Sequence, residues 1–109
     1  MLLFKEIKEG VVLDDDLQWL SKKLGKKWKA LAKRLRFDQD DVEVFDIDGN
    51  EVENKSYSML CSWKRSKGSS ATYKVLYKAL CHKLVGRNDL AEKYCIRKST
   101  EKEESTSER

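Results

Sequence analysis

Apolar residues recur at helical spacing along most of this 109-residue chain, and no segment alternates apolar with polar. Leu13, Leu17, Leu20 and Leu24 stand four, three and four apart. Trp28, Leu31, Ala32 and Leu35 fall at i, i+3, i+4 and i+7, and Tyr73, Leu76, Tyr77, Leu80 and Leu84 at i, i+3, i+4, i+7 and i+11. A strand turns every second side chain inward, whereas a helix of about 3.6 residues per turn turns one stripe inward, so these spacings specify helices. There is no proline, and Gly10, Gly25, Gly49, Gly68 and Gly86 read as punctuation between the periodic segments.

The pattern predicts six helices. The first runs over Asp14–Leu24 with Asp14 as its N-cap and Gly25 as its stop; the second covers residues 26–36. Asp38 caps a third that turns Val42 and Phe45 inward and breaks at Asp48, Gly49 and Asn50. A fourth, from residue 51 or 52 to 66, carries Leu60 and Trp63. The fifth is capped by a serine of the Gly68-Ser69-Ser70 break and ends at Gly86, and the sixth is capped by Asn88 with Leu90, Ala91, Tyr94 and Cys95 on one side. The expected core is Leu17, Leu20, Trp28, Leu31, Leu35, Val42, Phe45, Leu60, Trp63, Leu76, Leu80 and Leu90. Trp19 lies off its stripe and is expected to be partly exposed. Helices with short connections and no strand make an all-α bundle over residues 13–97. An apolar arm with Leu3, Phe4 and Ile7 precedes it at 1–12, and the polar run 98–109 follows with the composition of a disordered tail.

Several function classes find no support. No apolar run approaches the roughly 18 residues of a membrane span, and Lys5 and Glu6 cut short the opening Met-Leu-Leu-Phe, so neither a span nor a secretory signal is expected. Cys61, Cys81 and Cys95 cannot all pair and sit in helical patterns, which fits reduced thiols acting as small core residues of a cytoplasmic protein. Cys81 and His82 are neighbours, but adjacent helical side chains point about 100° apart and do not form a nucleophile and base. No ligand spacing suits a metal. Aligning Gly49 with the sixth position of a calcium loop puts Val44 and Lys55 where acids are needed. No catalytic residue, cofactor, metal or small-molecule substrate is assigned.

Charge is the other organised feature. Residues 22–36 carry eight Lys or Arg and no acid, and residues 38–53 carry eight Asp or Glu and no base. On a helical wheel Lys26 and Lys33 point directly away from the core stripe, with Lys29 and Arg36 on one flank and Lys27 and Arg34 on the other. On the third helix Asp40 and Glu43 project outward, Asp41 and Asp46 lie towards the edges, and Val44 and Ile47 also face out. Like charges at i and i+4 repel by a few tenths of a kcal/mol, so a surface built only for solubility mixes its signs. A molecule with one positive and one negative face complements copies or relatives of itself.

Taken in order, these helices resemble a death domain, the six-helix signalling module of the death-fold superfamily. The likeness rests on LGKKWKALAKRL in the second helix, FDQDDVEVF in the third, MLCSW in the fourth, ATYKVLYKAL in the fifth and GRNDLAEKYC leading into the sixth. The resemblance implies an antiparallel Greek-key bundle without catalytic activity that binds other death-domain proteins, with self-association open. It also implies a place in intracellular signalling assemblies of the apoptotic or innate-immune, inflammatory type. The expected partner-binding residues are Lys26, Lys27, Lys29, Lys33, Arg34 and Arg36 on a basic face and Asp40, Asp41, Glu43 and Asp46 on an acidic one. One rival remains: a basic second helix after a short Gly-containing turn is also what a nucleic-acid-binding helical domain offers, with residues 26–36 on phosphates. The neighbouring acids and the lack of outward groups suited to base edges weigh against it.

Overall fold

The computed structural model describes residues 6–97, so the expected tail at 98–109 and the first residues of the arm, with Leu3 and Phe4, lie outside the described residues. Six α-helices form where the apolar stripes fall: α1 (Asp14–Leu24), α2 (Trp28–Arg34), α3 (Gln39–Asp48), α4 (Val52–Lys67), α5 (Tyr73–Cys81) and α6 (Asn88–Cys95). Short 3-10 turns at Gly25–Lys27 and Gly68–Ser70 join α1 to α2 and α4 to α5. The order in space differs from the order in sequence. α1 packs chiefly on α4 and also reaches α6, α5 packs on α6, and α2 touches α3, α4 and α5, the arrangement of a Greek-key bundle.

Each helix end has a local cause. Asp14, Asp15 and Asp16 open α1 and Lys22 and Lys23 close it, matching the positive and negative ends of the helix dipole. Its N-cap is Leu13 rather than Asp14; the Asp14 carboxylate instead accepts from Lys64 Nζ of α4 at 3.1 Å. Gly25 ends α1 at φ 56, a conformation that strains residues with a Cβ. Asp38 caps α3 in a reciprocal box: Asp41 N donates to Asp38 Oδ1 at 2.9 Å, and Asp38 N donates to Asp41 Oδ2 at 3.3 Å.

The ends of α2, α5 and α6 also differ from the sequence-based expectation. α2 is shorter than 26–36, because residues 25–27 wind as a 3-10 turn and the helix closes after Arg34. That closure is a Schellman motif: Phe37 N donates to Ala32 O at 3.1 Å and Arg36 N to Lys33 O at 3.2 Å, with Arg36 at φ 81 where glycine is the usual residue. The cap of α5 is Thr72, not a serine, its Oγ1 accepting from Val75 N at 3.3 Å. α5 ends at Cys81 rather than Gly86: His82 is extended, Val85 N and Gly86 N both donate to His82 O, Val85 is buried, and Leu84 is 58% exposed. α6 starts at Asn88, with Arg87 in the N-cap position. Arg87 grips Asp89 through two 3.0 Å hydrogen bonds and donates to Lys23 O at 2.8 Å, fixing α6 to the end of α1.

The core gathers Leu17, Leu20, Trp28, Leu31, Leu35, Val42, Leu60, Trp63, Leu76, Leu80 and Leu90, together with Val12, Leu24, Met59, Val85, Tyr94 and Cys95. Phe45 is only half-buried. It meets Phe37 edge to face, centroids 5.3 Å apart, at the rim of α3. All three cysteines are free, but only Cys95 is a core residue; Cys61 and Cys81 are half-buried because their stripe positions lie at the bundle edge.

The arm is strapped to the bundle. Val12 is fully buried, Ile7 opposes Ile96 and Val11 opposes Thr72 in single antiparallel bridges. Backbone hydrogen bonds join Lys8 N to Cys95 O and Arg97 N to Glu6 O, both at 2.7 Å, and Val12 N to Ala71 O at 2.9 Å. Beneath it the buried Tyr73 hydroxyl donates to Asp16 Oδ2 at 2.5 Å and accepts from Leu13 N at 3.1 Å.

Candidate functional site

The loop-free turn between α1 and α2 leaves the cations of both few internal partners. Lys26, Lys27, Lys29, Lys33, Arg34 and Arg36 are all exposed. Lys29 reaches Asp46 Oδ2 at 2.9 Å, and Arg34 Nη1 lies 3.2 Å from His82 Nε2. Lys26, Lys27, Lys33 and the Arg36 side chain make no ion pair among the described residues. The bundle brings a further element to this face that the sequence reading missed. Lys33, Arg34 and Arg36 of the α2 end stand across a shallow groove from Val75, Lys78 and Ala79 of α5, with His82 at its end. The signal was present in the α5 wheel, where Lys74 and Lys78 repeat at i and i+4 away from Leu76 and Leu80.

The acidic residues divide by role. Asp41 is committed to the α3 cap. Asp46 is half-buried and takes Lys55 Nζ at 2.6 Å as well as Lys29, and these hydrogen bonds, Lys55 first, hold its carboxyl below its ordinary value of 3.8. Asp40 and Glu43 remain outward, Glu43 receiving only a long 3.4 Å contact from Gln39. Beside them Val44 and Ile47 are 54% and 80% exposed. Trp19, on α1, is 51% exposed with the Lys22 ammonium 5.3 Å from its ring centroid.

Among the described residues no group of three or more His, Cys, Asp or Glu could hold a metal ion. His82 spends Nδ1 on Leu84 N at 3.1 Å and faces Arg34 with Nε2, so neither nitrogen is turned to Cys81 as a base. Among the described residues no helix is long and apolar enough to cross a membrane.

The fold is a six-helix bundle with exposed cations along α2 and exposed acids on α3. The model of the Death domain family matches residues 14–94, most of the chain, and the chain belongs to that family. Death domains are interaction modules rather than enzymes, and they bind other death-domain proteins.

Proposed function

We propose that this domain helps to assemble intracellular signalling complexes of the apoptotic or inflammatory type, docking on other death domains by complementary charge. The module spans residues 13–97 and works in the cytoplasm. Its basic contacts are Lys26, Lys27, Lys33, Arg34 and Arg36, supported at the edge by Lys29; its acidic contacts are Asp40 and Glu43, with Asp41 and Asp46 beside them. The observation that carries this reading is the cation set at the α1–α2 turn and α2: exposed, of one sign, and for the most part without an ion pair among the described residues. Each exposed ion pair contributes only about 0–1 kcal/mol, so the contacts act together, steering encounter and fixing orientation.

Surface binding of the domain to a panel of death domains, measured from about 0.1 M to about 1 M salt, tests this reading. Binding to at least one member that weakens with salt is expected. Failure to bind any, or binding indifferent to salt, counts against it.

A further inference from the structure

We infer that the groove between α2 and α5 binds clustered phosphate groups carried on one small scaffold, the chemistry shared by free inositol polyphosphates and phosphoinositide headgroups. This goes beyond the docking reading and stands without it. The groove holds about 340 Å³, at the small end of ligand sites, which run from about 300 to 1,000 Å³. Lys33, Arg34 and Arg36 reach it from the end of α2 and Lys78 from α5, with no acid among the lining residues. All four are exposed, and Lys33, Arg36 and Lys78 make no ion pair among the described residues. The acid nearest to Arg36 along the chain, Asp38, is taken up by the α3 cap, where it accepts from Asp41 N.

A second observation points to an anion rather than to loose surface charge. Leu84 N donates to His82 Nδ1 at 3.1 Å, and Arg34 Nη1 stands 3.2 Å from His82 Nε2. A neutral imidazole offers one lone pair and one N–H, and a protonated one two N–H groups, so the ring cannot accept from both neighbours. The backbone N–H is held in place by the turn after α5, which makes Nδ1 the acceptor and puts the proton on Nε2. Nε2–H and the Arg34 guanidinium are then two donors meeting at the end of a groove that no acid lines. A phosphate oxygen at that point accepts from both, and the guanidinium fork matches phosphate geometry. Arg36 adds backbone strain at the rim: it holds φ 81, where glycine would rest, and still presents a cation.

The number and kind of lining groups narrow the ligand. A phosphate monoester carries about −1.5 to −2 at pH 7, so four cations match two such groups side by side. Val75 and Ala79 lie between the basic side chains and suit the carbon face of a ring polyol. No aromatic side chain lines the groove to stack a base and no Asn or Gln to read one, which disfavours a nucleic-acid strand. A polyphosphate bound here covers Lys33, Arg34 and Arg36, and so competes with any partner docked through them.

Calorimetric titration of the full chain with inositol trisphosphate and inositol hexakisphosphate at about 0.15 M salt tests this. One ligand per chain is expected, with a Kd of roughly 1–100 μM. Lys78→Glu and Arg34→Gln, at the groove, should each weaken binding roughly tenfold to a hundredfold, whereas Lys26→Glu, on the same basic run but outside the groove, should change it less than about threefold. Arg36→Gly should weaken binding while the melting temperature holds or rises. Heteronuclear NMR should find the His82 ring proton on Nε2, with the ring and the Leu84 amide shifting on titration. Flotation with phosphatidylcholine vesicles containing phosphatidylinositol bisphosphate separates the sources: capture that hexakisphosphate releases identifies a headgroup, hexakisphosphate binding without capture identifies a free ligand, and both uphold the site. A Kd weaker than about 1 mM for both inositol phosphates overturns the inference. So do equal losses in Lys26→Glu and Lys78→Glu, which would mean diffuse attraction, and a ring proton on Nδ1. A DNA duplex or a phosphorylated peptide that binds more tightly than either inositol phosphate and displaces it overturns it too, since the groove would then serve a macromolecule. If the site fails while the same sample binds another death domain, the functional reading survives.

Discussion

Lys29 Nζ of α2 lies 2.9 Å from Asp46 Oδ2 of α3, joining the basic run of the sequence to the acidic run that follows it. Asp46 takes Lys55 of α4 on its other oxygen at 2.6 Å, so one carboxylate ties three helices together. The junction absorbs one cation of the basic run and leaves the rest outward. That is why two neighbouring segments of opposite sign do not neutralise each other: the short connection lets them meet at Asp46, and the wheel turns the other charges to solvent.

Lys33 is exposed and makes no ion pair among the described residues, so Lys33→Glu should leave the melting temperature within a degree or two of the wild type while weakening recruitment of a death-domain partner. Loss of a surface pair of up to about 1 kcal/mol corresponds to roughly fivefold, and charge reversal to more, chiefly through slower association. Surface plasmon resonance beside a thermal melt separates the two effects; a variant that fails to fold would show that this side chain supports the bundle.

Gly49 is needed for closeness rather than for its backbone angle. A Cβ there would stand 2.5 Å from Lys55 Cγ and 3.0 Å from Lys55 N. Gly49→Ala should therefore push Lys55 off Asp46 and destabilise the domain by about 1–3 kcal/mol, read from urea unfolding. An unchanged midpoint would mean that the α3–α4 connection yields freely.

The arm should behave as part of the folded unit although the family match begins at residue 14. Starting the chain at residue 13 removes the fully buried Val12 and the hydrogen bonds to Ala71, Tyr73 and Cys95. A loss of roughly 3 kcal/mol is expected, on the order of 10–20 °C in Tm for a domain this size. Calorimetry showing equal melting of the two forms would demote the arm to an ornament.

Tyr73 gives a pH signature. Burial first, then donation to Asp16, pushes its phenol from the ordinary 10.0 up to about 12. A raised folded pKa stabilises fully below the unfolded value, so this contribution is present below pH 10.0 and lost as pH rises towards about 12. Cys95, raised by burial from 9.0 to about 12, adds to the same alkaline loss with an earlier onset. Thermal melts across this range should fall less steeply for Tyr73→Phe than for the wild type; superimposable slopes would remove Tyr73 from the account.

Periodicity was legible wherever a helix had a single dry side. Leu17, Leu20 and Leu24 placed α1 and its end at Leu24, with only the cap one residue earlier than expected, and Asp38 announced α3 through a cap that depends only on its own neighbours. The failures fall where a local pattern is satisfied by something else. Leu84 continues the α5 stripe by spacing, yet the chain leaves the helix at His82, turns on hydrogen bonds from Val85 N and Gly86 N to His82 O, and buries Val85. Arg36 gave no sign of a left-handed turn. Only the return of Phe37 to Phe45 explains why the chain reverses there.

The same division holds for the charged surfaces. Sequence by itself determined six amphipathic helices, the family they belong to, and which charges cannot point inward, because each follows from side-chain period and the cost of burying an ion. Tertiary structure decided which charges are spent and which are free, and it built the groove from the end of α2 and the side of α5, segments about 40 residues apart in the chain. Packing sets distances between remote segments, and no rule of spacing along the chain contains them.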